Sequence, residues 1–155
     1  MTHAVRFVAV VAVLTALALC VPVQAQTPEQ TDALRARAEA GDAEAQNLLG
    51  VMYDYGEGVP QDYAVAARWH RLAADQGHAE AQYQLGGRYW RGQGVPQDYV
   101  QAHMWYSLAA SRLTGGRRHP AVRERDRVAG LMTSAQIAEA QRLAREFDAA
   151  HPREP

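Results

Sequence analysis

The sequence predicts an all-α fold, an α/α superhelix built from antiparallel helix pairs. Two observations carry that prediction. The 35 residues from Gly41 to Asp75 recur from Gly77 to Ser111, 36 positions later, with 20 identities. Within each copy, two stretches with apolar residues at helical spacing flank one turn rich in glycine and proline. A unit of that size cannot bury an apolar face alone, so stacked units share a core. Arrays of this kind usually present a surface and rarely house chemistry.

The first residues stand apart from the array. Met1 to Arg6 carry one firm positive charge, Phe7 to Val21 are almost wholly apolar, and Val23-Gln24-Ala25 fits the small-residue pattern of a cleavage site. This reads as a signal peptide over 1–25, cleaved after Ala25. An apolar run of about 15 residues is short for a membrane span, which needs roughly 20. The only cysteine, Cys20, falls in this segment. Leu17-Ala18-Leu19 before it fit a lipid-attachment site poorly, so the cysteine is expected to leave with the leader. The expected location is periplasmic or secreted, with no membrane association after cleavage and no disulfide.

Residues 26–40 read as an N-terminal capping helix, with Thr27 as cap, Pro28 at the first helical position and Gly41 as stop. Repeat 1 then occupies 41–76 and repeat 2 occupies 77–112. In the first helix of repeat 1, Ala45, Leu49 and Tyr53 form an apolar stripe, and Gly50 beside them permits close approach of another helix. In the second helix, Ala66, Trp69, Leu72 and Ala73 form the opposing stripe. Trp69 and Trp105 therefore read as structural. Between the helices, Gly56 suits the left-handed helix end, Gly58 turns the chain, Pro60 blocks helix continuation and Asp62 caps the next helix. The stretch Gly56-Glu57-Gly58-Val59-Pro60-Gln61-Asp62-Tyr63 returns as Gly92-Gln93-Gly94-Val95-Pro96-Gln97-Asp98-Tyr99. Its duplication marks it as scaffolding rather than a ligand loop.

Residues 113–150 read as a degenerate repeat and C-terminal cap. Thr114-Gly115-Gly116 break the pattern, and Pro120 is expected to open a helix over Ala121–Leu131. Thr133 and Gln136 match a capping box, and Ile137, Ala140, Leu143, Ala144 and Phe147 form the stripe of a last helix. Residues 151–155 are a tail.

These positions resemble the Sel1-like repeat family, helical-hairpin repeats related to tetratricopeptide repeats. The family pattern stands here as Ala43, Ala45, Leu49, Gly50, Tyr53, Gly56, Gly58, Val59, Asp62, Ala66, Trp69, Ala73 and Ala74. The second copy keeps Ala79, Ala81, Leu85, Gly86, Tyr89, Gly92, Gly94, Val95, Asp98, Ala102, Trp105, Ala109 and Ala110. The lysine that the family often has before the alanine is replaced by Val65 and Gln101. The Met132-Thr133 segment through Gln141 resembles the closing cap of bacterial members.

The resemblance implies a protein or peptide partner held in a concave groove lined from the first helices. In repeat 1 the expected exposed positions are Glu44, Asn47, Val51, Asp54 and Tyr55. In repeat 2 they are Glu80, Tyr83, Gly87, Trp90 and Arg91. Tyr83, Gly87 and Trp90 share one helix face, and their counterparts Asn47, Val51 and Asp54 are not aromatic, so the fold does not require aromatics there. Tyr and Trp with an adjacent arginine suit peptide capture, and equally suit packing against the C-terminal cap.

No catalytic, cofactor or metal constellation is legible. His70, His78, His103 and His119 are scattered, and His70 and His103 have no acidic partner at ligand spacing, so exposed or helix-packing roles are expected. A formal net charge of −1, with no lysine and no basic stripe, argues against nucleic acid. Arg117, Arg118, Arg123, Arg125 and Arg127, interrupted by Glu124 and Asp126, read as a mixed solvated face. The expected function is an exported, monomeric, non-enzymatic adaptor or regulator that binds another protein. Two alternatives follow from the resemblance: an immunity or inhibitor protein for a toxin or envelope enzyme, and a binder or hydrolase of β-lactams or cell-wall fragments. The latter analogy is weakened by the missing paired cysteines.

Overall fold

The computed structural model describes residues 28–152, and these form seven α-helices and one short 3-10 turn without a strand. The leader expected over 1–25, with Cys20, and also Gln26, Thr27 and residues 153–155 lie outside the described residues. The helices are α1 (Pro28–Glu39), α2 (Ala43–Tyr55), α3 (Tyr63–Asp75), α4 (Ala79–Arg91), α5 (Tyr99–Arg112), α6 (Arg118–Ala129) and α7 (Ser134–Ala150), with the 3-10 turn over Gly115–Arg117 before α6. Each of α1 to α5 packs on the next, and α5 also receives both α6 and α7. No helix among the described residues is long and apolar enough to cross a membrane.

Each repeat uses the same local devices. Gly56 takes φ +71° and its N–H donates to Met52 O, ending α2 in the left-handed conformation that side chains disfavour. The Asp62 carboxylate accepts from the N–H groups of Ala64 and Val65, and Asp98 accepts from Gln101. Gln61 and its counterpart Gln97 have a role not foreseen from sequence. Each side-chain amide donates back to a carbonyl near the end of the preceding helix, Asp54 O at 2.6 Å and Trp90 O at 2.8 Å. Those carbonyls have no partner within their own helix. The next link is also paired: Gln46 donates to Ala38 O and Gln82 to Ala74 O, both buried, so each first helix is tied to the end of the helix before it.

The N-cap of α4 is His78 rather than an aspartate. Its Nδ1 accepts from Ala81 N–H at 3.2 Å, which leaves Nε2 to donate to Glu44 at 2.7 Å. The expected capping box of Thr133 and Gln136 is present at the start of α7. By contrast, α6 starts at Arg118, earlier than Pro120 suggested. Pro120 sits in the first turn, where a backbone N–H would have no helical partner, so proline is tolerated there.

The opposing stripe of repeat 1 needs one correction. Ala66 and Ala73 are fully buried, but Leu72 is 48% exposed, whereas its counterpart Leu108 is 1% exposed. The difference is α7. Leu143, Ala144 and Phe147 pack on the cluster that contains Met104, Trp105 and Leu108, and Phe147 meets Trp105 edge-on at 5.3 Å. Arg112 pairs with Asp148 at 2.6 Å on the rim of that contact.

Candidate functional site

Three polar side chains of repeat 1 meet between α2 and α3. His70 is fully buried, and its Nε2 donates to Asp54 Oδ2 at 3.0 Å. The Asn47 amide lies 3.2 Å from His70 Nδ1. Gly50 lies against the ring: a Cβ there would come within 2.7 Å of the imidazole. Arg88, from α4 of the next repeat, reaches the same Asp54 oxygen at 3.1 Å. A buried carboxylate thus has two charge-capable donors, one from its own repeat and one from its neighbour. His70 takes a helix-packing role, and its acidic partner, Asp54, comes from a different helix, 16 residues away.

Repeat 2 fills the equivalent space with aromatics. Tyr83, Tyr106 and Trp90 stand where Asn47, His70 and Asp54 stand in repeat 1. Gly86 lies against Tyr106 as Gly50 lies against His70. Tyr83 and Tyr106 pack with ring centroids 5.5 Å apart. Burial pushes the Tyr106 phenol well above its ordinary range, so it serves as a neutral hydroxyl.

Between the repeats opens a cleft of about 380 Å³. Asp54, Tyr55, Gln61 and Tyr63 line it from repeat 1. Tyr83, Gln84, Gly87, Arg88, Arg91, Gln93 and Tyr106 line it from repeat 2. The wall is largely hydrogen-bonding: glutamine amides, tyrosine hydroxyls and guanidinium groups. Tyr55 is 68% exposed at the mouth, and Arg88 lies over the Tyr63 ring at 5.1 Å. Asp54 Oδ1 and Arg88 Nε are buried without a hydrogen-bond partner among the described residues.

The ten residues expected to line the groove divide by location. Asp54, Tyr55, Tyr83, Gly87 and Arg91 come together in this cleft. Asn47 and Asp54 are buried rather than exposed, because His70 draws both inward. Gly87 is also buried, close to the Arg91 guanidinium and the Tyr106 hydroxyl. Val51 is half-buried and outside the cleft. Glu44 and Glu80 are engaged elsewhere, with His78 and with Arg117. Trp90 packs half-buried against the Ala102–Tyr106–Val128 cluster, with the Arg91 and Arg127 guanidinium groups 4.9 and 5.6 Å from its ring centre. Tyr83 belongs to both settings, since it lines the cleft and packs against Ala109, Ala110 and Ala121. Arg88, Gln61 and Gln93 were missed. One signal was available: three positions that are polar together in repeat 1 and aromatic together in repeat 2 share one space.

Comparison with known proteins agrees with this architecture. The Sel1 repeat model matches residues 43–78 and 79–112. A protective antigen present in uropathogenic Escherichia coli strains, displaying an SLR fold, superposes with a TM-score of 0.73 at 32% identity over 79% of this chain. The chain spans only 26% of that protein. A Sel1 repeat protein from Oxalobacter formigenes superposes with a TM-score of 0.57 at 38% identity, covering 61% of this chain and 71% of that one. No curated protein matches the chain. With its duplicated turn, its helix pairs and these matches, the chain belongs to the Sel1 repeat family, whose members generally act as protein-interaction modules.

Proposed function

We propose that this chain is an exported interaction module that holds a segment of a partner protein in the cleft between its two repeats. The observation that carries the reading is the composition of that cleft. Gln84 offers an amide that both donates and accepts, as an extended peptide backbone requires, while Gln61 keeps its Oε1 as an acceptor and Gln93 its Nε2 as a donor. Tyr55 and Tyr63 add aromatic faces at the mouth, and Arg91 adds a cation. Tyrosine and arginine are the residue types that most often dominate interface energy.

Export rests on the leader over 1–25. Fractionation of the producing bacterium should place the chain in the periplasm with Gln26 as its first residue; a cytoplasmic chain beginning at Met1 overturns that part. The interaction is tested by affinity capture from periplasmic extract with the wild-type chain and with Tyr55→Ala/Arg91→Ala. Both side chains are exposed, so the variant keeps its fold. A partner retained by the wild type and lost by the variant supports the cleft. A partner retained equally by both refutes it.

A further inference from the structure

The repeats carry one design twice, with different outcomes. On repeat 2, Tyr89, Met104, Trp105 and Leu108 form a seat that α7 covers through Leu143, Ala144 and Phe147. Thirty-six residues earlier, Tyr53, Arg68, Trp69 and Leu72, together with Val65, line a depression of about 230 Å³. The ring of Trp69 is half-buried on Leu49 and its neighbours, and Leu72 remains 48% exposed. The uncovered seat thus has the spacing of a seat that, in the same molecule, takes an amphipathic helix.

The geometry points to a second docking site on α2 and α3, centred on Trp69 and Leu72, for an amphipathic helix of a partner protein patterned like α7. That pattern is a small residue, a leucine three positions on and an aromatic seven positions on, as in Ala140, Leu143 and Phe147. One exchange sets the polarity of the occupant. Arg68 replaces Met104, is exposed, and has no ion-pair partner among the described residues. The matching helix therefore carries a carboxylate on its flank. In α7 itself Glu139 and Glu146 pair with Arg142 and Asp148 pairs with Arg112, so that helix carries its carboxylates beside the apolar stripe. This seat is distinct from the cleft at Tyr55 and Arg91, which lies between α2 and α4.

The test uses a fluorescein-labelled peptide of residues 134–150 titrated with the full chain. Saturable binding is expected. Leu72→Glu in the protein should weaken it by at least about tenfold, the scale of losing one buried leucine contact. Phe147→Ser in the peptide should do the same, and Arg68→Glu gives a second, fully exposed probe of the seat. Tyr55→Ala/Arg91→Ala should leave the affinity unchanged, which separates this site from the cleft. No saturable binding overturns the proposal. Binding indifferent to Leu72→Glu and Arg68→Glu also overturns it, because the peptide has then displaced the resident α7. A Leu72-dependent dimer of the chain alone, seen by sedimentation, would assign the seat to another copy instead of a partner.

Discussion

His70 Nε2 lies 3.0 Å from Asp54 Oδ2 in a space closed to solvent, and the guanidinium of Arg88 holds the same oxygen from the following repeat. This contact couples the inside of repeat 1 to the junction between repeats. It also forms part of the wall against which the cleft is built. Removing the carboxylate leaves a buried imidazole and a nearly buried guanidinium without their anion. Asp54→Ala should therefore destabilise the fold by about 3–5 kcal/mol, the usual loss when one member of a buried pair is removed. Asp54→Asn should cost less, because the amide oxygen still accepts. Urea unfolding of the two variants checks the order; equal costs would show that shape, not charge, sets the contact.

The leucine pair gives a sharper comparison. Leu108→Ala should cost about 2–5 kcal/mol, because its cluster with residues of α3, α4 and α7 encloses it and a cavity would remain. Leu72→Ala occupies the same repeat position and should cost about 1 kcal/mol or less, since half of its surface is already in water. Paired unfolding curves decide this, and similar losses would mean that α7 does not close over Leu108.

The turn glycines are not equivalent either. A Cβ on Gly94 would lie 2.0 Å from Tyr63 O, at φ +75°, because the second turn packs directly onto the start of α3. Gly94→Ala should destabilise by at least about 2 kcal/mol, combining left-handed strain with backbone overlap. Gly116 has no neighbour within 4 Å and no positive φ, so Gly116→Ala should change little. Melting temperatures of the two variants are the check.

His103 is buried on α5, and burial, aided by the Arg125 guanidinium, holds its pKa below the ordinary 6.5. The folded state resists its protonation and the unfolded state does not. Stability is therefore retained above the unfolded value and falls as pH drops from about 6.5 toward the lowered folded value. His103→Gln should flatten that part of the Tm–pH curve. An unchanged slope between pH 7 and 5 would exclude His103 as its source.

Much of this architecture was legible in the sequence because it is local. The positions of Gly56, Asp62 and Thr133 follow from turn and cap chemistry that acts over three or four residues, and duplication at 36 residues marked the unit. Pairings across helices were harder to read. Asn47 and Asp54 lie on the face that periodicity alone assigns to solvent, and only the docking of α3 turns that face toward His70. Leu72 fits the core stripe by spacing, yet its burial depends on a covering helix that, among the described residues, repeat 2 has and repeat 1 lacks. Gln61 and Gln97 carry no legible role in the sequence because their partners, the carbonyls of Asp54 and Trp90, lie seven residues back on the preceding helix.

The most direct measurement of the cleft's role is site-specific photocrosslinking in the producing cell. Benzoylphenylalanine placed at Tyr55, at the mouth of the cleft, should yield a discrete covalent adduct with a partner protein. The same probe at Glu139, on the exposed outer face of α7, should yield none. An adduct from Glu139 but not from Tyr55, or none from Tyr55 under conditions where the partner is captured, would contradict the assignment of the cleft as the binding surface.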